Sequence, residues 1–164
     1  MTLSMIVAID KNNGIGKGDD QLAYISADLK RFKALTTGNT IVMGRKTYEA
    51  LPKGALPNRR NIVITRQDNY RAPGAVVVNT PEAALGLCEK DEKVFVIGGG
   101  EIYRALLPQT KALFLTLIDH AFAEASVFFP TIAADEWTVV AEDGPFTDEK
   151  TKLHYRYQNL ERKG

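Results

Sequence analysis

The sequence predicts an α/β fold built on a mainly parallel central sheet, and three observations carry that expectation. Short continuous apolar runs alternate with segments of helical periodicity. Each run ends in glycine or polar residues, as strands covered on both faces do. The C-terminal part carries strand patterns with no helix between them, which requires an antiparallel pair. With 164 residues and 45% hydrophobic content, the chain is long enough to bury a core as one domain, residues 1–164, with about four flanking helices.

The first apolar run is Leu3–Ile9, ending at Asp10-Lys11-Asn12-Asn13-Gly14. Comparable runs follow at Thr40–Met43, Asn61–Thr65, Ala75–Val78, Val94–Ile97 and Ala112–Ile118. Helical patterns fill the gaps at Ser26–Leu35, Lys46–Leu51, Pro81–Cys88 and Glu101–Leu107. Ser26 and Thr80 are expected N-caps, Pro81 suits a first helical position, and Pro108 stops the last helix. Trp137–Glu142 and Leu153–Tyr157 are the expected antiparallel pair.

Composition narrows the function. Twenty-one Lys and Arg against 20 Asp and Glu leave a net charge of +1, too weak a field to argue for nucleic acid or an anionic membrane. The apolar N-terminal run is far shorter than the roughly 18 residues of a membrane span, and no signal-peptide pattern precedes it, so a cytoplasmic protein is expected. One Cys and two His are too few for a structural zinc site, and Cys88 is read as a small core hydrophobe.

Two strand-to-helix junctions are chemically loaded. In Met43-Gly44-Arg45-Lys46-Thr47, two cations stand at a helix start. There they oppose the dipole at a cost of about 0.3–1 kcal/mol each when exposed, which an anionic ligand would explain. In Ile97-Gly98-Gly99-Gly100-Glu101-Ile102-Tyr103, three glycines bridge a strand and a helix, where side chains would keep a diphosphate from the backbone amides. Tyr103 occupies the last glycine position of G-x-G-x-x-G, so this is not a standard Rossmann fingerprint. Arg45, Lys46 and Arg66 all follow strands, and these cations favour NADPH if a nicotinamide dinucleotide binds. Asp28, with Leu29 beside it and Phe32 one turn on, suits a flat amidine-like heterocycle. Of the paired arginines in Leu56-Pro57-Asn58-Arg59-Arg60-Asn61, one could clamp a carboxylate and the other is expected in solvent.

Taken in order and spacing, these segments resemble bacterial dihydrofolate reductase over nearly the whole chain. The resemblance includes Ile6–Asp10 followed by Gly14-Ile15-Gly16, Ala27–Lys33, Val42–Glu49, Leu56–Asn61, Val96–Gly100, Leu115–Asp119 and Phe129-Pro130. It implies NADPH-dependent reduction of 7,8-dihydrofolate to 5,6,7,8-tetrahydrofolate, with dihydrofolate and antifolate inhibitors as small-molecule partners; the near-neutral charge and single domain suggest a monomer with no nucleic-acid or membrane partner. By the same resemblance, Asp28 meets the pterin amidine edge and promotes protonation of N5, and Thr116 hydrogen-bonds that carboxylate. Ile6, Val7, Ala8, Leu29, Phe32 and Leu56 line the substrate site, Ile97 and Tyr103 lie near the nicotinamide, and Arg59 holds the glutamate α-carboxylate. Gly44, Arg45, Lys46 and Thr47, helped by Thr65 and Arg66, meet the cofactor phosphates. Ala8, Ile15, Gly16, Gly98, Gly99, Gly100, Glu101 and Ile102 complete the cofactor contacts. The segment Gly14–Leu22 is the expected mobile loop.

Three departures from the family pattern stand out. Ala23 and Ser26 occupy the places of a usual tryptophan and proline, which implies altered loop closure or antifolate affinity, with Tyr24 the side chain placed to refill part of the space. Glu101 stands where some relatives carry a basic residue. Ser126 takes the place of a common acidic residue, putting a loop contact in question. Two alternatives compete with the main reading: a pteridine or riboflavin-pathway reductase, for which Arg59 has little use, and a non-catalytic NADP(H)- or folate-binding protein.

Overall fold

Apolar runs without polar alternation need cover on both faces. The computed structural model, which describes residues 1–18 and 20–164, supplies it. Strand β1 (Thr2–Ile9) leads through the short β2 (Gly14–Lys17) and β3 (Asp20–Gln21) to helix α1 (Ser26–Thr36). Then follow β4 (Thr40–Gly44), α2 (Arg45–Ala50), β5 (Arg60–Ile64), β6 (Ala75–Val78), α3 (Pro81–Gly86), β7 (Lys93–Gly98) and α4 (Gly100–Leu106). A 3-10 turn at Leu107–Gln109 contains Pro108 and precedes β8 (Ala112–Ile118), β9 (Val127–Phe128), β10 (Trp137–Thr147) and β11 (His154–Arg162).

Among the described residues, eight strands form the main sheet in the order β10-β11-β8-β1-β7-β4-β5-β6. The pairs from β8 to β6 are all parallel. The C-terminal hairpin pairs antiparallel within itself and along β8, as expected. Side chains alternate across the sheet with period 2, which divides the core. Leu3, Met5, Val7, Val42, Ile62 and Val96 pack on the face that carries Ala84 of α3 and Ile102, Tyr103 and Leu106 of α4. Ile6, Ile41, Met43, Val63 and Phe95 pack on the face covered by Phe32 and Leu35 of α1 and Tyr48 of α2. Cys88 is half-buried against the first layer, with its thiol donating to Ala84 O at 3.5 Å, so it packs as a small core hydrophobe.

Two expectations need revision. Thr80 does cap α3, accepting from Ala83 N with Pro81 in the first turn, but Ser26 does not cap α1. The helix starts at Ser26 itself, and its N-cap position is Ile25, which makes no side-chain cap bond. Ile25 is buried with Ile118 and Tyr155, so burial of the preceding residue sets the chain's entry into the helix. The flanks of the expected loop Gly14–Leu22 are strands. β2 pairs with β3 and with β9, forming a second small sheet, while Asp19 lies outside the described residues.

Candidate active site

The site begins where two central strands part. β1 and β7 pair as far as Met5 and Val96. Beyond that point β1 keeps β8, through Ile9 and Leu117, while β7 follows β4 to Gly98 with a register shift between Val42 and Met43. The flanking helices divide here, α1 and α2 to one face and α3 and α4 to the other. A slot at the carboxyl ends of such a switch point is where open α/β sheets hold ligands. The buried Tyr103 fastens α4 across its start, its hydroxyl donating to Ile6 O at 2.8 Å and its ring 5.0 Å from that of Phe129.

On the α1 side stands Asp28. Its Oδ1 accepts a hydrogen bond from the hydroxyl of Thr116, which is buried on β8 opposite Ala8 of β1 and Tyr157 of β11. Burial pushes the Asp28 carboxyl above the ordinary carboxylate range, while the Thr116 hydroxyl and the Arg31 guanidinium pull it back. Phe32 is half-buried one turn on, and Leu29 shares its helix face with 46% of its surface open. Ile6 packs in the layer with Phe32, Leu56 and Ile97. Val7 points into the opposite layer, so it reaches the α1 side only through its backbone.

The segment 56–60 is built by Asn61, a residue whose role sequence reasoning missed. Its buried amide accepts from Leu56 N at 3.0 Å and donates to Leu56 O at 2.9 Å and Arg59 O at 3.0 Å. A buried Asn at a strand start, able to accept and donate at once, was the available signal. The turn it closes sends the two arginines apart. Arg59 donates from Nε to Pro57 O at 2.9 Å and from Nη1 to Thr36 Oγ1 at 3.1 Å. Arg60 is exposed, as expected, and from there pairs with Glu92 at 3.3 Å and donates to Leu87 O at 3.0 Å.

The two loaded junctions lie on adjacent strands, β4 and β7. The N-cap residues of α2 and α4 are Gly44 and Gly99, and neither helix receives a side-chain cap, which leaves first-turn N–H groups open. α2 has no acid in its first turn; Arg45 reaches along the helix to Glu49 at 3.0 Å, and Lys46 is exposed. Gly98 has φ +128°, and a Cβ there would lie 3.4 Å from Thr47 Oγ1 and 3.6 Å from the Tyr103 ring. Gly98→Ala is therefore expected to cost roughly 1–3 kcal/mol of backbone strain, seen as a Tm lower by several degrees. An unchanged Tm would show that this φ is not required.

Thr65 is buried at the end of β5, its hydroxyl accepting from Gln67 N at 3.1 Å. Arg66 and Glu101 meet each other at 3.0 Å, both largely in solvent. Ile15 and Gly16 ride on β2 beside β9, and a Cβ on Gly100 would lie 2.9 Å from Val127 Cγ1 and 4.0 Å from Ile15 Cδ1. Ser126 does make a loop contact: its hydroxyl accepts from Gly18 N at 2.8 Å and its N–H donates to Gly16 O at 2.9 Å. Asp10, also missed, anchors this corner, its buried carboxylate accepting from Asn12 N, Gly14 N and Phe122 N at 2.7–3.0 Å. Tyr24 does not refill the space at Ala23. It is 54% exposed, its hydroxyl donating to Asp20, whereas Ala23 packs with Ile25, Ile118 and Tyr155.

Comparison with known proteins accords with this geometry. The family model described as dihydrofolate reductase matches residues 2–162. The chain belongs to the dihydrofolate reductase family. Among family members, the dihydrofolate reductase of Staphylococcus haemolyticus is 38% identical over 162 residues, covering 99% of this chain and 96% of that protein. That of Bacillus subtilis (strain 168) is 37% identical over 161 residues, covering 98% and 95%. A solved dihydrofolate reductase from Enterococcus faecalis, complexed with NADP(H) and RAB-propyl, superposes with a TM-score of 0.90 at 35% identity, over 99% of this chain and 97% of that one. In this dihydrofolate reductase-family chain, no helix among the described residues is long and apolar enough to cross a membrane.

Proposed function

We propose that the protein reduces 7,8-dihydrofolate to 5,6,7,8-tetrahydrofolate with NADPH, as a monomer of one domain, residues 1–164, in the cytoplasm. The observation that carries this reading is Asp28: a carboxyl held by Thr116 in an apolar setting at the parted strands, with two anion-receptive helix starts on adjoining strands. The Enterococcus faecalis relative is complexed with NADP(H), and the residues here fit the same group. Uncapped amides after Gly44 and Gly99 suit a diphosphate. Arg45, Lys46, Thr65 and Arg66 offer cationic and hydroxyl partners for a 2′-phosphate.

When bound, NADPH supplies the hydride that goes to pterin C6. The chain's own residues do the rest. Asp28 accepts from the amidine N–H groups, orients the ring and promotes protonation at N5. Thr116 holds the carboxyl in place by donating to Oδ1. Phe32, Leu29, Ile6 and Leu56 exclude water from the ring faces, which strengthens the charge interactions inside. Arg59 receives the glutamate α-carboxylate.

The deciding experiment follows the loss of NADPH absorbance on adding dihydrofolate, with NADH in parallel. Turnover with NADPH preference supports the reaction and the phosphate contacts together. NADPH binding without turnover favours a binding protein, and turnover of tail-less pteridines alone favours a pteridine reductase. Arg45→Ala is expected to raise KM for NADPH by roughly 10–100-fold, the scale of a charge-assisted hydrogen bond, and to leave KM for NADH nearly unchanged. An equal loss with both cofactors would place Arg45 away from the 2′-phosphate.

A further inference from the structure

Arg31 stands one turn along α1 from Asp28, and the reaction as derived above leaves it without a task. Its guanidinium is fixed from two directions by β11: Cζ lies 4.2 Å from the centroid of the Tyr157 ring, and Nη2 donates to Asn159 Oδ1 at 2.8 Å. Nη1 is buried with no hydrogen-bond partner, alone in this among the described residues. Arg31 also makes no ion pair among the described residues. A long cationic side chain on a helix surface ordinarily keeps its charged end in water. Holding it here, with one nitrogen unsatisfied, has a desolvation cost, and burial weakens its hold on its proton.

The strand register explains what that cost serves. Tyr157 pairs directly with Thr116 across β11 and β8, so the ring under Arg31 and the hydroxyl on Asp28 stand on opposed residues of neighbouring strands. Asn159 lies two residues on and shares the Tyr157 face. The charge therefore sits at a set place relative to the pocket carboxyl. The groups facing Asp28 are Arg31 from its own helix, Thr116 from β8, Tyr103 from α4 and Tyr157 from β11. Both phenols are pushed up, Tyr157 to about 12, with burial the main cause and Asp28 adding to it, so they stay neutral. Asp143 of β10 also acts on Arg31, less strongly than Asp28 and Tyr157 do.

We propose that Arg31 is a positioning residue that acts through Asp28: pinned by Tyr157 and Asn159, its charge holds the pocket carboxyl in its anionic form and sets the pH range over which the pterin is reduced. This rests on the reduction reading above. A fixed cation beside the site favours the carboxylate and opposes proton uptake there, so removing it carries proton uptake to higher pH.

The test uses Arg31→Met and Arg31→Gln, which remove the charge, and Arg31→Lys, which keeps it. Two readouts are taken: the pH profile of single-turnover hydride transfer, and the titration of the Asp28 carboxyl in ligand-free protein by ¹³C NMR, assigned by its absence in Asp28→Asn. The neutral variants are expected to move the Asp28 titration to higher pH. They should also increase the ratio of the rate at pH 9 to that at pH 6 by about threefold or more, with Arg31→Lys staying near wild type in both. A uniform rate loss at every pH with an unmoved titration would make Arg31 a packing residue and overturn the proposal, as would Arg31→Lys shifting as far as Arg31→Met. If wild type does not reduce dihydrofolate, the reduction reading fails, while the Asp28 titration still decides the role of Arg31.

Discussion

Asp28→Asn is expected to lower kcat/KM for dihydrofolate by about 10²–10⁴-fold at neutral pH, the range lost with a positioned acid–base group, while leaving the Kd for NADPH within a few-fold. The cofactor junctions lie on β4 and β7, whereas Asp28 is on α1 beside β8, so the two losses separate if the roles are as derived. Stability should move the other way. Burial raises the folded-state pKa of Asp28, so the fold prefers the protonated acid. The stabilisation from this group is present at low pH and is lost as pH rises through its folded value. At neutral pH the ionised carboxylate is then a cost, and Asn removes the charge while keeping an oxygen to accept from Thr116. Thermal melts should show the variant more stable than wild type at neutral and alkaline pH, with the advantage shrinking in acid. A large parallel loss of NADPH binding, or a lower Tm at every pH, would instead make Asp28 a structural residue.

How much of this was legible in the sequence depends on what fixes each element. The central strands were legible because a strand covered on both faces is largely apolar, and β1, β4, β5 and β7 bury near-continuous apolar runs, with Ser4, Thr40 and Asn61 as buried polar exceptions. The small sheet was not, since Gly14-Ile15-Gly16-Lys17 has neither length nor alternation. Its pairing depends on Val127 and Phe128, more than a hundred residues away, and on a corner drawn in by Asp10. The start of α1 was misplaced for a similar reason. A serine before an apolar-periodic segment is a good local cap signal, yet tertiary burial of Ile25 decided the boundary. Asp28, Thr116 and the glycine junctions could be picked out by residue type and the family resemblance. Arg31 acts through β11 and Asp10 partly through Phe122, both more than a hundred residues away, and no local pattern marks them, whereas Asn61 closes its own Leu56–Arg59 turn and carried a local signal. Arg66 and Glu101 were each expected on the cofactor side, but nothing in the sequence says that they meet one another.

Arg59→Ala is the second large effect, expected to raise KM for dihydrofolate by roughly 10–100-fold, as loss of charged hydrogen bonds to a carboxylate does, with kcat changed by no more than a few-fold. The contact is remote from the reacting C=N bond, so it stabilises ground and transition states alike. The hydrogen bonding favours this arginine over its neighbour for the proposed contact. Arg60 is committed to Glu92 and Leu87 O. Arg59 has Nε engaged by Pro57 O and one Nη1 hydrogen by Thr36 Oγ1, which aims the fork and leaves Nη2 and the second Nη1 hydrogen without a partner among the described residues. Arg59→Lys should not rescue the loss, because a single ammonium cannot reproduce a planar pair of donors. Arg60→Ala should leave KM unchanged. A pterin substrate without the glutamate tail supplies the control: it should be reduced equally well by wild type and Arg59→Ala. If the tail-less substrate suffers as much as dihydrofolate, Arg59 supports the pocket through Thr36 and α1 rather than by gripping the tail. The pteridine-reductase reading would then lose its sharpest contrast with the folate one.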